Sequence, residues 1–138
     1  MKSKKTKRRR HSKWLKRDIL VCPYLTLCLS ENDYFRMMKH MKVEKPWPVW
    51  VNSDCDGTTH MIENEGDRKT AEIVCLNPLD PSDTVSVHSL IAHEAVHVWQ
   101  HTCEVERIVP CKELEALGIQ VITWRLIEDY ERQRCDQR

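Results

Sequence analysis

The chain has 138 residues, of which 41% are apolar and only 3 are glycine. This length fits one domain with one hydrophobic core, and the composition, which contains no internal repeat, excludes fibrous and solenoid classes. The formal net charge of +1 at pH 7 excludes neither acidic nor basic partners, because the charges are unevenly distributed along the chain.

The basic residues are concentrated at the N-terminus. Residues 1–17 contain ten of the 22 Lys and Arg residues and no Asp or Glu. The remaining 121 residues carry 12 basic and 21 acidic residues, a net charge of −9. We therefore predict a disordered basic arm over 1–17 and a folded acidic domain over 18–138. Residues 2–17 are suited to contact nucleic acid or another anionic surface; the alternative is a solvated tail.

An apolar run over 19–29 follows the basic arm, as it does in a secretory signal peptide. Asp18 and Pro23 interrupt that pattern, no small-residue cleavage site follows, and the run is too short for a membrane-spanning helix. We predict a buried strand and no membrane segment. The 7 cysteines include no Cys-x-x-Cys pair, which argues against a disulfide framework and indicates a cytoplasmic protein with free thiols.

Hydrophobic periodicity and turn residues predict the elements that follow. Ser30 begins a Ser-x-x-Asp capping pattern, which predicts a helix start, and Pro46 and Pro110 mark helix breaks. In chain order we predict a helix over 31–43, strands over 49–51, 58–62 and 70–76, and helices over 84–102 and 112–131. Together with the first strand they have the order β-α-βββ-α-α, which indicates a small α+β domain with an antiparallel sheet.

Residues 93–97, within the predicted helix over 84–102, read His-Glu-Ala-Val-His. His93 and His97 are four residues apart, so their imidazoles project side by side and can bind one tetrahedral zinc ion. Glu94 can then act as the general base on a zinc-polarised water. The alternative is a pair of surface histidines on an amphipathic helix. The flanking residues are mostly apolar, which predicts a buried helix and favours the metal site.

A catalytic zinc site needs a third protein ligand. His101 is about 12 Å from His93 along the helix axis, too far to share the ion, and we expect it beside the ligands or at the surface. On the last helix Glu115 falls on the apolar stripe that includes Gly118, whereas Glu113 lies nearer a polar edge. We favour Glu115 over Glu113 as the ligand; the alternative is an ordinary exposed glutamate. Gly118 should let another helix approach closely.

The motif and its surroundings resemble a known family. A His-Glu-x-x-His motif followed, after a helix break, by a Glu-Ala pair on the next helix resembles the gluzincin arrangement of zinc peptidases. The chain is still more similar to a family of small metallopeptidases of tailed bacteriophages, over about residues 20–132. The stretches that carry this resemblance are 58–60, 73–76, 90–100 and 113–120. Leu117 stands where an aromatic residue commonly follows the Glu-Ala pair, which should alter packing more than ligation.

This resemblance implies a minimal zincin-like fold, in which the domain over 18–138 holds one Zn²⁺ ion. The implied ligands are His93, His97 and Glu115, and the implied general base is Glu94. The resemblance also implies hydrolysis of peptide bonds and, if the protein is phage-encoded, a location in the host cytoplasm.

Two further parts of a peptidase mechanism have candidates in the sequence. An oxyanion-stabilising group is required, and His60, His88 and Tyr130 are suitable by residue type, although each can equally be structural. An extended substrate usually pairs with the edge of a sheet. The strand over 70–76, just before the motif helix, is the predicted edge.

The sequence therefore supports two functions of different kinds. The first is a zinc-dependent peptidase that acts on a protein or peptide. The second is a zinc-stabilised binding or assembly protein without turnover, whose basic arm tethers it to nucleic acid. Glu94 distinguishes the two, because a purely structural zinc site has no use for a general base.

Overall fold

The computed structural model describes residues 10–16, 24–109 and 111–135; most of the predicted arm and the first part of the apolar run lie outside it. In chain order the elements are β1 (Tyr24–Cys28), α1 (Glu31–His40), β2 (Gly57–Glu63), β3 (Thr70–Leu76), α2 (Thr84–Glu106) and α3 (Lys112–Arg134). These helices and the small sheet confirm the α+β class. No helix in the described residues has the length and apolar character needed to cross a membrane.

The sheet is mixed, with the strand order β1-β3-β2. β1 runs parallel to β3, with Leu27 opposite Val74, and β2 runs antiparallel to β3, with Thr59 opposite Val74. The prediction of an antiparallel sheet was therefore wrong for β1. The connection from β1 includes α1, and a long crossover of this kind permits parallel pairing. β3 is the central strand, so the prediction that residues 70–76 form the sheet edge was also wrong.

Residues 49–51 do not form the predicted strand. Val51 is 5% exposed and packs in the core, which accounts for the apolar pattern. The backbone groups around it bond to side chains instead of to a neighbouring strand. Oγ1 of Thr58 accepts a 3.1 Å hydrogen bond from N of Asn52, and O of Trp50 lies 2.9 Å from Nε2 of His60. The observed element order is therefore β-α-ββ-α-α.

The helices lie on both faces of the sheet. Alternate residues of β3 point to opposite faces, as the two-residue period of a strand requires. Ile73 and Cys75 pack in the cluster that includes α1, whereas Val74 and Leu76 pack with α2 and α3. α2 therefore has one side on the sheet and another against α3, and this decides which side chains of the His-Glu-Ala-Val-His motif are accessible.

The start of α1 has the predicted cap. Oγ of Ser30 accepts a 3.2 Å hydrogen bond from N of Asp33, which satisfies one of the free N–H groups of the first turn. The helix ends at His40 rather than at residue 43, because Lys42 adopts a left-handed conformation with a φ of 54°.

α2 and α3 are both longer than predicted. α2 continues past residue 102 to Glu106 and stops where Arg107 takes a left-handed φ of 53°. α3 continues past residue 131 to Arg134. The helix break between them was predicted at Pro110, which lies outside the described residues.

The two long helices pack antiparallel. Gly118 of α3 meets the buried ring of Trp99 of α2, which confirms that this glycine allows a close helix approach. Near the start of α2, Nε2 of His88 lies 3.5 Å from Oε1 of Glu131, near the end of α3. These two contacts set the register of the helices: Trp99 lies opposite Gly118, and His88 lies opposite Glu131.

Residues 10–16, assigned to the disordered arm by composition, pack against the outer edge of β1. N of Leu15 donates a 2.8 Å hydrogen bond to O of Leu25. Trp14 forms an isolated antiparallel bridge with Thr26. This segment therefore belongs to the folded body and covers the edge of β1 that does not face β3.

Candidate metal centre

His93 and His97 converge on one side of α2. Their Nε2 atoms are 3.2 Å apart, and their rings meet edge to face with centroids 4.9 Å apart. Two nitrogen ligands of a tetrahedral zinc ion lie about 3.3 Å from each other, so the observed separation is that of two ligands sharing one ion. His93 is exposed and His97 is half-buried, which leaves the pair accessible from solvent.

Gln100 supports the second histidine. Its Oε1 lies 3.3 Å from Nδ1 of His97. When Nδ1 carries the proton and donates it to this amide oxygen, the lone pair of His97 is on Nε2, the atom that faces His93. This contact therefore favours the tautomer that a metal ligand requires.

Glu94 points from α2 toward β2 and is only 3% exposed. Its Oε2 accepts a 2.6 Å hydrogen bond from Oγ1 of Thr59, the usual length for a hydroxyl bonded to a charged carboxylate. A Cβ atom at Gly57 would lie 3.0 Å from Oε1 of the same carboxylate, so the glycine leaves room for it. The carboxylate is thus held in place next to a candidate metal ligand. Neither Thr59 nor Gly57 was assigned a role from the sequence.

The predicted third ligand does not join the histidine pair in this structure. Within residues 10–16, 24–109 and 111–135, no group of three or more His, Cys, Asp or Glu side chains is arranged to hold a metal ion. Glu115 and Glu113 are both exposed in the first turn of α3. Ligation by Glu115 therefore stays a prediction.

The register of α2 against α3 explains this placement. Trp99, the residue that meets α3 at Gly118, lies about 160° around α2 from His97. Because α2 and α3 are antiparallel and Gly118 meets Trp99, Glu115 lies at about the level of Cys103 on α2. Burial and the charge of Glu115 raise the pKa of the Cys103 thiol. Cys103 lies about 9 Å beyond His97 along the helix axis. Glu115 therefore lies beside a different face of α2 from the one that carries His97, and at a different level along the helix axis.

His101 contacts a buried carboxylate that sequence reasoning missed. Its Nδ1 lies 3.0 Å from Oε2 of Glu72, which is on β3 and is 0% exposed. Burial, and to a smaller extent the charge of Glu104, raise the pKa of Glu72 to about 9. Its Oε1 is buried without a hydrogen-bond partner. A glutamate inside the otherwise apolar strand 70–76 was the signal that could have revealed this pair.

The three oxyanion candidates, His60, His88 and Tyr130, make contacts within the sheet, between the long helices or in the core. His60 is paired with Ile73 in the sheet and lies 2.9 Å from O of Trp50, and burial lowers its pKa. His88 and Tyr130 lie where the start of α2 meets the end of α3, and Tyr130 is part of the core. No hydrogen bond within the described part of the chain joins any of the three to residues 93–97. An oxyanion role for them stays a prediction.

Comparison with known proteins finds no relative of this chain. No protein-family model, no curated protein and no solved structure gives a significant match to the chain. The family resemblance carried by the motif stretches therefore stays a prediction, as does the zincin-like fold.

Proposed function

We propose that the protein is a zinc-dependent peptidase in which His93 and His97 bind the ion and Glu94 is the general base. The observation that carries this proposal is the 3.2 Å separation of the two Nε2 atoms. A hydrogen bond between two surface histidines would account for that distance alone. It would not account for the buried carboxylate that the same motif places against β2, 3% exposed and bonded to Thr59.

Each residue of the site has a separate role in the proposed hydrolysis. A zinc ion held by His93 and His97 would supply a polarised water with a pKa of roughly 7. Glu94 would accept a proton from the attacking water, and Thr59 fixes its carboxylate through the 2.6 Å hydrogen bond. The protonated Glu94 can then donate to the amine that leaves as the peptide bond breaks. Burial of Glu94 limits exchange of this proton with bulk water.

β2 is the strand edge suited to hold the substrate. In the described part of the chain β2 pairs only with β3, whereas residues 10–16 cover the outer edge of β1. Thr59 belongs to β2 and bonds to Glu94, so a peptide added to this edge would run beside the general base. Main-chain pairing of this kind holds an extended peptide. We therefore infer an extended peptide substrate on β2, in place of the edge predicted on β3.

Metal analysis of the purified full-length protein tests the metal site. We expect one zinc ion for each chain, and loss of zinc in His93→Ala. Full zinc content in His93→Ala would overturn the proposed site. Glu115→Ala and Glu113→Ala are analysed in parallel: loss of zinc in Glu115→Ala alone supports the ligand implied by the family resemblance, and full zinc in both variants removes Glu115 from the site.

Hydrolysis of a casein substrate tests turnover. Glu94→Gln should retain zinc and lose activity by about 100-fold or more, because an amide cannot accept the proton. Glu104→Gln, an exposed glutamate on the same helix, is the matched control and should keep its activity. Cleavage by Glu94→Gln at the wild-type rate would contradict the peptidase assignment.

A zinc-stabilised binding protein with a nucleic-acid tether is the second candidate, favoured by Lys13 and Lys16 of the N-terminal segment. Both line a cavity of about 360 Å³ where residues 10–16 meet α3. The arginines of that cavity are paired with its acids, Arg125 with Glu128 and Arg132 with Asp129. Deletion of residues 1–9 leaves this packed segment in place and should reduce the salt dependence of DNA binding. Absence of salt-sensitive DNA binding in the full-length protein would contradict this function.

A further inference from the structure

A cavity of about 580 Å³ lies at the end of the sheet where β1 and β3 finish. Leu29, which follows β1, and Leu76, which ends β3, line it together with Tyr130 and Arg134 from the end of α3. Its volume is within the range of small-molecule sites. None of the residues 93–97 lines it, so it is separate from the proposed metal centre.

The topology of the chain explains why a crevice forms at this place. β1 and β3 are adjacent and parallel, so both end at the same edge of the sheet. After β1 the chain enters α1, on one face of the sheet, and after β3 it enters α2, on the other face. The two connections therefore diverge from neighbouring strand ends. In parallel sheets such a point of divergence is where ligands bind.

The lining of the cavity is mostly apolar, with one basic residue, one acidic residue and a few neutral polar side chains. Leu79 and Val87 contribute to its walls, and Arg134 is the basic residue among the described lining residues. The Arg134 side chain is only 11% exposed, stacks 5.5 Å over the ring of Tyr130, and has a 3.4 Å ion pair with Glu131. A guanidinium held in this way against an aromatic ring is preorganised to accept a carboxylate.

Arg134 is the charged group of the lining that is best shielded from solvent. α1 and α2 both begin beside the cavity. The partial positive charge of their N-terminal ends is offset by Glu31 in the first turn of α1 and by Asp83, which caps α2. Glu31, the acidic residue of the lining, is exposed to solvent, which screens its charge. Arg134 is shielded from solvent and therefore acts more strongly on a bound group than Glu31 does.

We propose that this cavity binds a small organic acid with an apolar body, with the carboxylate on Arg134 and the body between Leu79 and Val87. The site is a binding function separate from peptide hydrolysis, and it does not depend on the metal centre. Its occupant is a single molecule of about the size that 580 Å³ can enclose, such as a medium-chain carboxylate.

Calorimetric titration of the full-length protein with octanoate tests this assignment. We expect saturable binding of octanoate, weaker binding of octanol, and none of octylammonium. Arg134→Gln should weaken octanoate binding by about tenfold or more, since a hydrogen bond to a charged group is lost. Leu79→Trp, at a partly exposed position, should block the cavity without disturbing the core.

Two controls make the result specific. His97→Ala removes a proposed zinc ligand and should leave octanoate binding unchanged, which separates this site from carboxylate binding to a metal. Arg107→Gln removes an exposed arginine outside the cavity and should also have no effect. The assignment is overturned if octanoate does not bind, if Arg134→Gln and Leu79→Trp bind it as the wild type does, or if His97→Ala abolishes binding.

Discussion

Gly118 of α3 lies so close to Trp99 of α2 that a Cβ atom on the glycine would be 2.2 Å from Cζ3 and 2.4 Å from Cε3 of the indole ring. Trp99 is 1% exposed and is among the largest fully buried side chains of the described residues. The ring cannot move away without displacing core neighbours. The spacing of the two long helices therefore depends on the missing side chain.

Gly118→Ala should destabilise the protein by about 1–3 kcal/mol, the usual effect of overpacking a core. Alanine is favoured over glycine inside a helix by up to about 1 kcal/mol, but an overlap at 2.2 Å with a buried ring outweighs that gain. Urea unfolding followed by circular dichroism measures the change. Gln120→Ala, an exposed position on the same helix, is the matched control; a Gly118→Ala variant as stable as this control would disprove the close approach.

Thr59→Val should reduce the turnover number for peptide hydrolysis by about tenfold and leave KM nearly unchanged, if the proposed peptidase function holds. Valine has the shape of threonine but cannot donate the 2.6 Å hydrogen bond to Glu94, so the buried carboxylate loses its orientation. Thr59→Ser keeps the hydroxyl and should restore most of the activity. Zinc content, measured for each variant, should not change. Equal turnover numbers for the valine and serine variants would remove Thr59 from the mechanism.

Local features of the sequence predicted the elements well, because short-range contacts determine them. The strand at 70–76 has the predicted bounds, and Ser30 caps α1 as its pattern indicated. The motif spacing also brought His93 and His97 together, since a helix alone fixes positions four residues apart.

Relations between distant segments were not predictable in the same way. The parallel pairing of β1 with β3 depends on contacts between segments far apart in the chain, and no local sequence pattern indicates it. The projection of α3 placed Glu115 on an apolar stripe, but that stripe becomes buried only from Gly118 onward. In the first turn of α3, Leu114 packs against the core while Glu115 faces solvent, and no local pattern in the sequence distinguishes the two sides of that turn.

Glu72→Gln should make the protein more stable relative to the wild type as the pH rises from 5 to 9. Burial raises the pKa of Glu72 from 4.5 to about 9 in the folded state. Between these values the folded chain keeps a proton that the unfolded chain has released, so the wild type loses stability as pH rises through this window. Glutamine is neutral at every pH and should remove this loss, which is at most about 1.4 kcal/mol for each pH unit.

The titratable groups that face Glu72 are His101 on α2 and Glu104 on the same helix. Glutamine can still contact Nδ1 of His101, so the variant keeps the packing of the wild type. Urea unfolding at several pH values measures the effect. Parallel stability curves for the wild type and Glu72→Gln would show that the buried carboxyl has the same pKa in both states.

Deletion of residues 1–16 should destabilise the protein and promote self-association, whereas deletion of residues 1–9 should do neither. The segment 10–16 supplies the hydrogen bond from N of Leu15 to O of Leu25 and buries part of Trp14 against the sheet. Its removal exposes the outer edge of β1, and an uncovered strand edge pairs readily with another chain. Light scattering over a concentration series, together with thermal unfolding, distinguishes the two truncations. If the longer deletion stays monomeric and as stable as the shorter one, the segment does not protect β1.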